Sequence, residues 1–169
     1  MSLIIGGVTV PYRAGHSMRQ AFSRLPGGTS TLRMADGSGV KQQAWRKQKT
    51  QINGMGWVPN ALQSLDYSQP LQLHCIAPLT VSDPAPVIEL PASRRSDAGY
   101  EPKALAWVGG EAVEVELEIS GNTATATTVA EAEFYQVSYW PVLTVFAEFE
   151  ENTDTATGVI SWQLACEEV

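Results

Sequence analysis

Residues 113–119 read VEVELEI, and this stretch alternates without error between apolar and acidic side chains. A period of two places every apolar residue on one face of a β-strand and every glutamate on the other. Gly121-Asn122 then supplies turn residues, and the threonine-rich stretch 123–129 is typical of a returning strand. The stretch therefore predicts one continuous strand of a hairpin, with its glutamates on a single solvated face.

Strand patterns recur along the rest of the chain, and no segment of ten or more residues shows a helical stripe. Residues 3–10 are apolar and β-branched, and residues 71–77 alternate as a half-buried strand does. Residues 134–149 predict a long aromatic strand or strand pair, with Pro141 at a bulge or an edge. The sequence predicts an all-β fold, a β-sandwich or barrel, forming a single β domain over residues 1–169.

A long hairpin and a long loop are expected to interrupt this β pattern. Residues 35–39, Ala-Asp-Gly-Ser-Gly, are a strong hairpin signal that follows a strand candidate at 29–34. Residues 40–53 then predict one long extended strand, which the glycines of 54–56 are expected to end. Residues 78–103 contain five prolines and predict an extended surface loop with little regular structure.

The sequence offers no pattern typical of a catalytic, cofactor or metal site. Its only histidines are His16 and His74, and His74 points away from its neighbour Cys75 on a strand, so the two cannot converge. The thiols of Cys75 and Cys166 are expected to be buried, and whether they pair stays open. We predict that the chain is not an enzyme and has no cofactor, metal or catalytic residue. No apolar run approaches the roughly 20 residues that cross a bilayer, so no membrane contact is expected.

The charges of the chain, −7 in total, are unevenly distributed along the sequence. Residues 1–75 carry eight Lys or Arg and two Asp, for a net charge of +6, whereas residues 76–169 carry three cations and sixteen acids, for −13. Such a segregation creates complementary faces that steer association, if the fold keeps the two halves apart. The alternative is that the halves interleave in space and the signs mix. The sequence leaves both interpretations open.

Five of the eleven cations lie within residues 33–59, together with Trp45. Nucleic-acid binding, with Trp45 as a stacking platform, is one interpretation, but the acidity of the whole chain argues against it. Lysines that protect an exposed strand edge are a second interpretation. Because a flat strand with polar residues on both faces is hard to explain in a monomer, we favour a third, a subunit interface, and expect no specific nucleic-acid binding.

The predicted interface residues fall into three groups. The cations of the long strand are expected to meet acids of an adjacent subunit, and two tryptophans are expected to pack at the base of the hairpin, where ordinary core positions are an equal alternative. The arginine pair is expected to tether the proline-rich loop to a neighbour. The residues are Arg46, Lys47 and Lys49, then Trp45 and Trp57, and finally Arg94 and Arg95.

Several stretches of the first 100 residues together resemble small tail proteins of long-tailed bacteriophages that infect Gram-negative bacteria, and the nearest role is that of a distal tail or upper baseplate protein. The stretches are IIGGVTVPY, RMADGSGVKQQAWRKQKTQINGMGWVP, LDYSQPLQLHC and LPASRRSDA. The resemblance implies a virion structural protein of the tail tip with no catalytic residues. In that family the fold is a β-sandwich or barrel with a long hairpin and an extended loop.

The resemblance also implies partners. Copies of the chain would form a hexameric homo-oligomeric ring that joins the tail tube protein to the baseplate hub, next to the tape measure protein, after assembly in the bacterial host cytoplasm. The chain departs from larger distal tail proteins because it has no room for a second, carbohydrate-binding-like domain. A tail-tube, tail-terminator or head–tail connector subunit therefore stays an alternative. So does a carbohydrate-binding β-sandwich module that uses Trp57, Tyr67, Tyr100 and Trp107.

Overall fold

The computed structural model describes residues 2–169 and shows an almost entirely β protein, with 54% of the residues in strands and 2% in helix. The predicted all-β fold is confirmed. A 3₁₀ turn at Ala61–Ser64 is the one helical element of the described residues. The strands are β1 (Ile4–Ile5), β2 (Val8–Thr9), β3 (Arg19–Arg24), β4 (Thr29–Arg33), β5 (Gly39–Gln43), β6 (Gln48–Gly56), β7 (Leu71–His74), β8 (Leu79–Asp83), β9 (Val87–Glu89), β10 (Lys103–Val108), β11 (Glu111–Val115), β12 (Leu117–Ser120), β13 (Thr123–Ala126), β14 (Phe134–Tyr139), β15 (Val142–Asp154) and β16 (Val159–Glu168).

One compact unit, here called the sheet unit, comprises residues 2–73 and 144–169. Its centre is a seven-stranded sheet with the strand order β2-β1-β7-β15-β16-β6-β3. β16 pairs antiparallel with β15 on one side and with β6 on the other, so that Leu164 lies between Phe149 and Ile52. Alternate residues along β6 and β16 are buried, and the residues between them are mostly exposed. One face of these strands therefore covers a core and the other faces solvent.

The second compact unit, here called the sandwich unit, comprises residues 74–143. It contains a four-stranded sheet, β11-β10-β14-β8, and a three-stranded sheet, β12-β13-β9. Both sheets contribute to one buried cluster, which makes the unit a β-sandwich. The cluster consists of Ile88, Leu90, Ala104, Ala106, Ala124, Ala126, Tyr135, Val137 and Tyr139. The prediction of a single domain over the whole chain stays a prediction.

The alternating stretch 113–119 is not one strand. It is divided at Glu116 into the end of β11 and the start of β12. β11 pairs with β10 and β12 pairs with β13, which belong to different sheets of the sandwich unit, so the chain has to bend between them. A period of two specifies which residues share a face but not which strand they pair with, and the sequence therefore could not show this break.

The predicted long strand at 40–53 is also two strands. β5 ends at Gln43 because it pairs only with β4, whereas β6 begins at Gln48 and joins the seven-stranded sheet. The glycines do not end β6, which continues to Gly56. A Cβ on Gly56 would lie 2.6 Å from the Cα of Ala14, so the glycine permits a close approach of two backbone segments.

The predicted extended loop at 78–103 contains two short strands, β8 and β9, which occupy eight of its residues, and its longest irregular segment is 90–102. The prediction of a surface segment with little regular structure therefore missed these two short strands. Its five prolines all lie outside these strands, where no ladder hydrogen bond is lost. β8 and β9 are each the last strand of their sheet, a position at which neighbouring prolines are tolerated.

Candidate subunit interface

The strands β4 and β5 form a two-stranded ribbon, here called the arm (residues 29–43), which pairs with no other strand of residues 2–169. Every residue of the arm is exposed. At its tip, the Asp36 carboxylate accepts hydrogen bonds from the hydroxyl and the backbone N–H of Ser38, at 2.7 and 2.9 Å, which lower the pKa of Asp36. The arm is therefore a formed hairpin whose long sides are open to other chains.

The two faces of the arm differ in chemistry. Leu32 lies directly opposite Val40, and their side chains are 52% and 45% exposed. Met34, which follows β4, is 57% exposed. On the other face Thr31 lies opposite Lys41, and the guanidinium of Arg33 lies over Gly39. The arm is an amphipathic ribbon: one face carries the uncovered apolar pair Leu32 and Val40 beside Ser30 and Gln42, and the other face is basic.

Trp45 lies at the base of the arm. A Cβ added to Gly28 would lie 2.7 Å from Cε3 of the indole, and the Ala44 N–H donates to the Gly28 carbonyl at 2.9 Å. Glycine at position 28 thus allows the ring to lie against the backbone where the arm begins. This is the packing position predicted for Trp45. Its side chain is 38% exposed, and its part in a subunit interface stays a prediction.

The structure separates the predicted cations of this region. Arg46 is exposed, and Lys47 is half-buried at the base of the arm. Lys49 belongs instead to β6, where its Nζ lies 2.7 Å from Oε1 of Glu167 on β16. The hydrogen bond to this carboxylate, with its charge, raises the pKa of Lys49. The contact predicted between Lys49 and an acid of a neighbouring subunit is therefore made within the chain.

Arg95 is buried, with 2% of its surface exposed. Its Nε and Nη2 donate to the two carboxylate oxygens of Asp97, at 2.9 and 2.6 Å, and its Nη1 donates to the Cys75 carbonyl at 3.0 Å. The guanidinium carbon lies 3.3 Å from the ring centroid of Tyr100. The hydrogen bonds from Arg95 lower the pKa of Asp97. This burial contradicts the predicted role of Arg95 as a surface tether.

Arg94 also bonds within its own unit. Its Nη1 donates to the Pro91 carbonyl at 2.7 Å and to the side chain of Asn122 at 3.1 Å. The half-buried side chain therefore ties the irregular segment 90–102 to the turn between β12 and β13. No contact to a second chain is needed to account for its position.

The charge split of the sequence takes a different form in the fold. The basic first part of the chain and the acidic hairpin of β15 and β16 belong to the same sheet unit, which holds eight cations and eight acids. The sandwich unit holds three cations and ten acids and carries the whole net charge of −7. Within the sheet unit the halves of the sequence therefore interleave, as one of the two interpretations expected. The sandwich unit stays acidic.

A cluster of exposed aromatic residues lies on the sheet unit. The ring of His16 is 5.4 Å from that of Tyr12 and 5.2 Å, edge-on, from that of Trp57. Tyr12 is 69% exposed and Trp57 is 62% exposed, so Trp57 is not a core tryptophan and does not pack at the base of the arm. A groove of about 720 Å³ lies beside the cluster. It is lined by Ser17, Arg19, Asn53, Gly54, Met55, Glu150, Glu151, Asn152, Ser161, Trp162 and Gln163.

The other aromatic residues proposed for a carbohydrate site are less available. Tyr100 is buried against Trp140, and Trp107 stacks on Phe134 with its indole N–H bonded to Gln136. Tyr67 stacks on Phe149, and burial raises its pKa to about 12. Of the four rings, Trp57 is the one that is largely exposed.

Comparison with protein-family models, with curated proteins and with solved structures gave no match for this chain. Across residues 2–169 there is no group of three or more His, Cys, Asp or Glu side chains placed to hold a metal ion. Within the same residues, no helix has the length and the hydrophobicity that crossing a membrane requires.

The sequence prediction missed the apolar residues of the arm, because it weighed the cations of this region and not the apolar residues between them. Leu32 and Val40 each lie four positions from Asp36, which belongs to the turn signal at 35–39. Aligning the two flanking strands as a hairpin around this turn predicts that Leu32 and Val40 share one face. The exposed Tyr12 had no comparable signal, since a single tyrosine in a loop indicates neither burial nor exposure.

Proposed function

We propose that this chain is a structural subunit that acts by assembling with copies of itself, without turnover. The observation that carries the proposal is the arm, an exposed hairpin with the uncovered apolar pair Leu32 and Val40 on one face. A two-stranded hairpin in water is marginally stable by itself. Fully burying a leucine or valine side chain contributes about 1.5–3 kcal/mol. Covering the exposed halves of Leu32 and Val40 on a second chain would therefore stabilise the arm and join the chains.

The distribution of charge supports the same proposal. The arm and its base, residues 26–47, contain four cations and one acid, whereas the sandwich unit contains three cations and ten acids. Opposite patches at different places on one subunit favour head-to-tail contacts, and such contacts close into rings when the rotation between copies allows it. The two patches are complementary in charge between copies.

The resemblance of the sequence to phage tail proteins supports a particular setting for such an assembly. We propose a ring at the tail tip of a long-tailed bacteriophage, six copies in number, between the tail tube and the baseplate hub. A tail-tube, tail-terminator or connector ring is the closest alternative. Mass spectrometry of purified tails from the phage that encodes the chain checks this setting, and tails without the chain would contradict it.

The variant Leu32→Ser/Val40→Ser tests the proposed role of the arm. We expect it to weaken self-association by about tenfold or more, because the apolar face is lost, while the melting temperature of the subunit changes little. Light scattering and native mass spectrometry over a range of concentrations measure the association. The matched control is Val58→Ser/Val87→Ser, which removes two valines that are 40% and 50% exposed and do not belong to the arm.

Two results would contradict the proposal. One is a wild-type chain that stays monomeric at all concentrations and also in the presence of tails. The other is an arm variant that assembles as well as the wild type. Equal weakening by the control variant would show that exposed valines in general, and not the arm, drive the association.

A second candidate function is glycan binding by the groove beside Trp57. The observation that favours it is a groove lined by amide and carboxylate side chains, among them Asn53, Glu150 and Asn152. The exposed indole of Trp57 lines a smaller pocket that shares Met55 with this groove. An apolar ring beside hydrogen-bonding groups is the chemistry that a sugar requires. We expect a glycan array to give binding by the wild type that falls tenfold or more in Trp57→Ala, with Trp107→Ala as the control. An array without signal would exclude this candidate.

A further inference from the structure

The segment 111–120 of the sandwich unit forms a free edge of both its sheets. β11 is the outermost strand of the four-stranded sheet, and β12 is the outermost strand of the three-stranded sheet. The two strands are joined at Glu116, so one continuous segment, here called the double edge, borders both sheets. On its outer side no strand of residues 2–169 pairs with it. Unpaired backbone N–H and C=O groups on such an edge are a template for an added strand.

The side chains of the double edge favour a basic partner. Glu111, Glu114, Glu116 and Glu118 are all exposed. Two such edges repel each other, which prevents a sheet-to-sheet contact between identical edges. Apolar residues alternate with the glutamates over residues 113–119, and two of them, Val113 and Ile119, are 44% and 40% exposed. An added strand that alternates basic and apolar side chains would complement both features.

We propose that the double edge receives the arm of a second copy of this chain, with β5 added alongside β11. The proposal rests on the proposed function, since it names the surface that the arm contacts. In β5 Val40 and Lys41 are adjacent, as Val113 and Glu114 are in β11. If Lys41 lies opposite Glu114, Val40 falls opposite Val113 in a parallel pairing or opposite Val115 in an antiparallel one. The charged and the apolar pair therefore form in the same register.

This contact gives a head-to-tail assembly. The arm and the double edge are different surfaces, so each copy can donate one arm and receive another. The backbone hydrogen bonds of an added strand supply association that is independent of sequence, and the alternating side chains set the register. The assembly closes as a ring or continues as a filament, depending on the rotation between neighbours.

A charge exchange tests the pairing. We expect Lys41→Glu and Glu114→Lys each to weaken self-association by about tenfold, because each places like charges opposite one another. The chain that carries both changes should associate within about threefold of the wild type, because the pair is restored with its signs exchanged. Sedimentation velocity over a range of concentrations measures all three. Glu133→Lys is the matched control, since it makes the same charge change on an exposed glutamate of the same unit that is not part of the double edge.

The outcomes separate this inference from the proposed function. Suppose that the wild type associates through Leu32 and Val40 but the double charge variant does not recover association. This result would overturn the pairing of β5 with β11 and leave the proposed function standing. Equal weakening by Glu114→Lys and Glu133→Lys would overturn it in the same way, because only total charge would then matter. A wild type that never associates would overturn both. Hydrogen exchange gives a direct readout, with the amides of β11 protected on association in the wild type and not in Leu32→Ser/Val40→Ser.

Discussion

Replacing Arg95 by methionine is expected to lower the free energy of unfolding by about 3 kcal/mol, although the substitution keeps an apolar chain of similar length in place. The guanidinium satisfies the buried carbonyl of Cys75, holds both oxygens of Asp97 and lies over the ring of Tyr100. Methionine supplies none of these contacts and removes the hydrogen bond that Arg95 donates to the Cys75 carbonyl. Urea denaturation measures the loss, and calorimetry should show a melting temperature roughly 6–12 °C lower.

The neighbouring arginine provides the control. Arg94→Met removes hydrogen bonds of a half-buried side chain to Pro91 and Asn122, where water can replace part of what is lost. We therefore expect less than half the effect of Arg95→Met. Arg95→Lys should stay well short of wild-type stability, because one ammonium group cannot reproduce the fork that holds a carboxylate and a carbonyl together. Equal stability of the wild type and Arg95→Met would show that the buried guanidinium does not stabilise the unit.

The same substitution should alter the response to acid. Arg95 holds the pKa of Asp97 below the ordinary value of 3.8, so the folded state stabilises the carboxylate relative to the unfolded chain. This contribution is fully present above the ordinary pKa and is lost as the pH falls through the lower, folded pKa. The stability difference between the wild type and Arg95→Met should therefore narrow below about pH 4.

Replacing Gly56 by alanine is expected to destabilise the sheet unit by about 3 kcal/mol or more. The added methyl group would lie inside the van der Waals radius of backbone atoms of Arg13 and Ala14, which cannot move away as a flexible side chain can. Met55→Ala, in the same strand between the two glycines, should cost less than about 1 kcal/mol because Met55 is 48% exposed. Thermal unfolding of the two variants gives the comparison.

If Gly56→Ala does not fold at all, Gly54 allows a second test, because its effect can be measured as recovery in a double variant. A Cβ on Gly54 would lie 2.5 Å from Cε2 of Trp162, whose indole N–H donates to the Ala14 carbonyl at 2.7 Å. Gly54→Ala should be strongly destabilising, and the added change Trp162→Leu should recover part of the loss by removing the ring that the methyl group meets. If the losses of stability in the two single variants simply add in the double variant, the close approach of Trp162 is not the reason for glycine at position 54.

The class of the fold could be predicted from the sequence, because alternation at 113–119 and 71–77 depends on local burial alone. Which strands pair with one another could not be predicted from the sequence. Nothing local in residues 48–56 indicates that β6 pairs with β16, since Lys49 and Glu167 are 118 positions apart. The division at Glu116 and the break between Gln43 and Gln48 follow from these distant pairings.

The candidate interface was predictable in part. The turn signal at 35–39 located the arm, and the many polar side chains of the arm indicated an exposed ribbon. The individual cations were less predictable, because charge alone does not distinguish Lys49, which bonds to Glu167, from the exposed Arg46. Arg95 shows the same limit, since an arginine in a proline-rich segment is expected at the surface and this one is buried by Tyr100 and Asp97.

The order of segments in the sheet unit has a consequence for the nascent polypeptide. Residues 2–73 and 144–169 form this unit, while residues 74–143 between them form a contiguous sandwich. A ribosome therefore releases β3 and β6 long before it synthesises β16, which lies between β6 and β15 in the finished sheet. Until translation reaches that strand, β6 has only β3 as a neighbour in the sheet, and one of its sides is open. An interior strand of the seven-stranded sheet, β16, is therefore made after every other strand of that sheet.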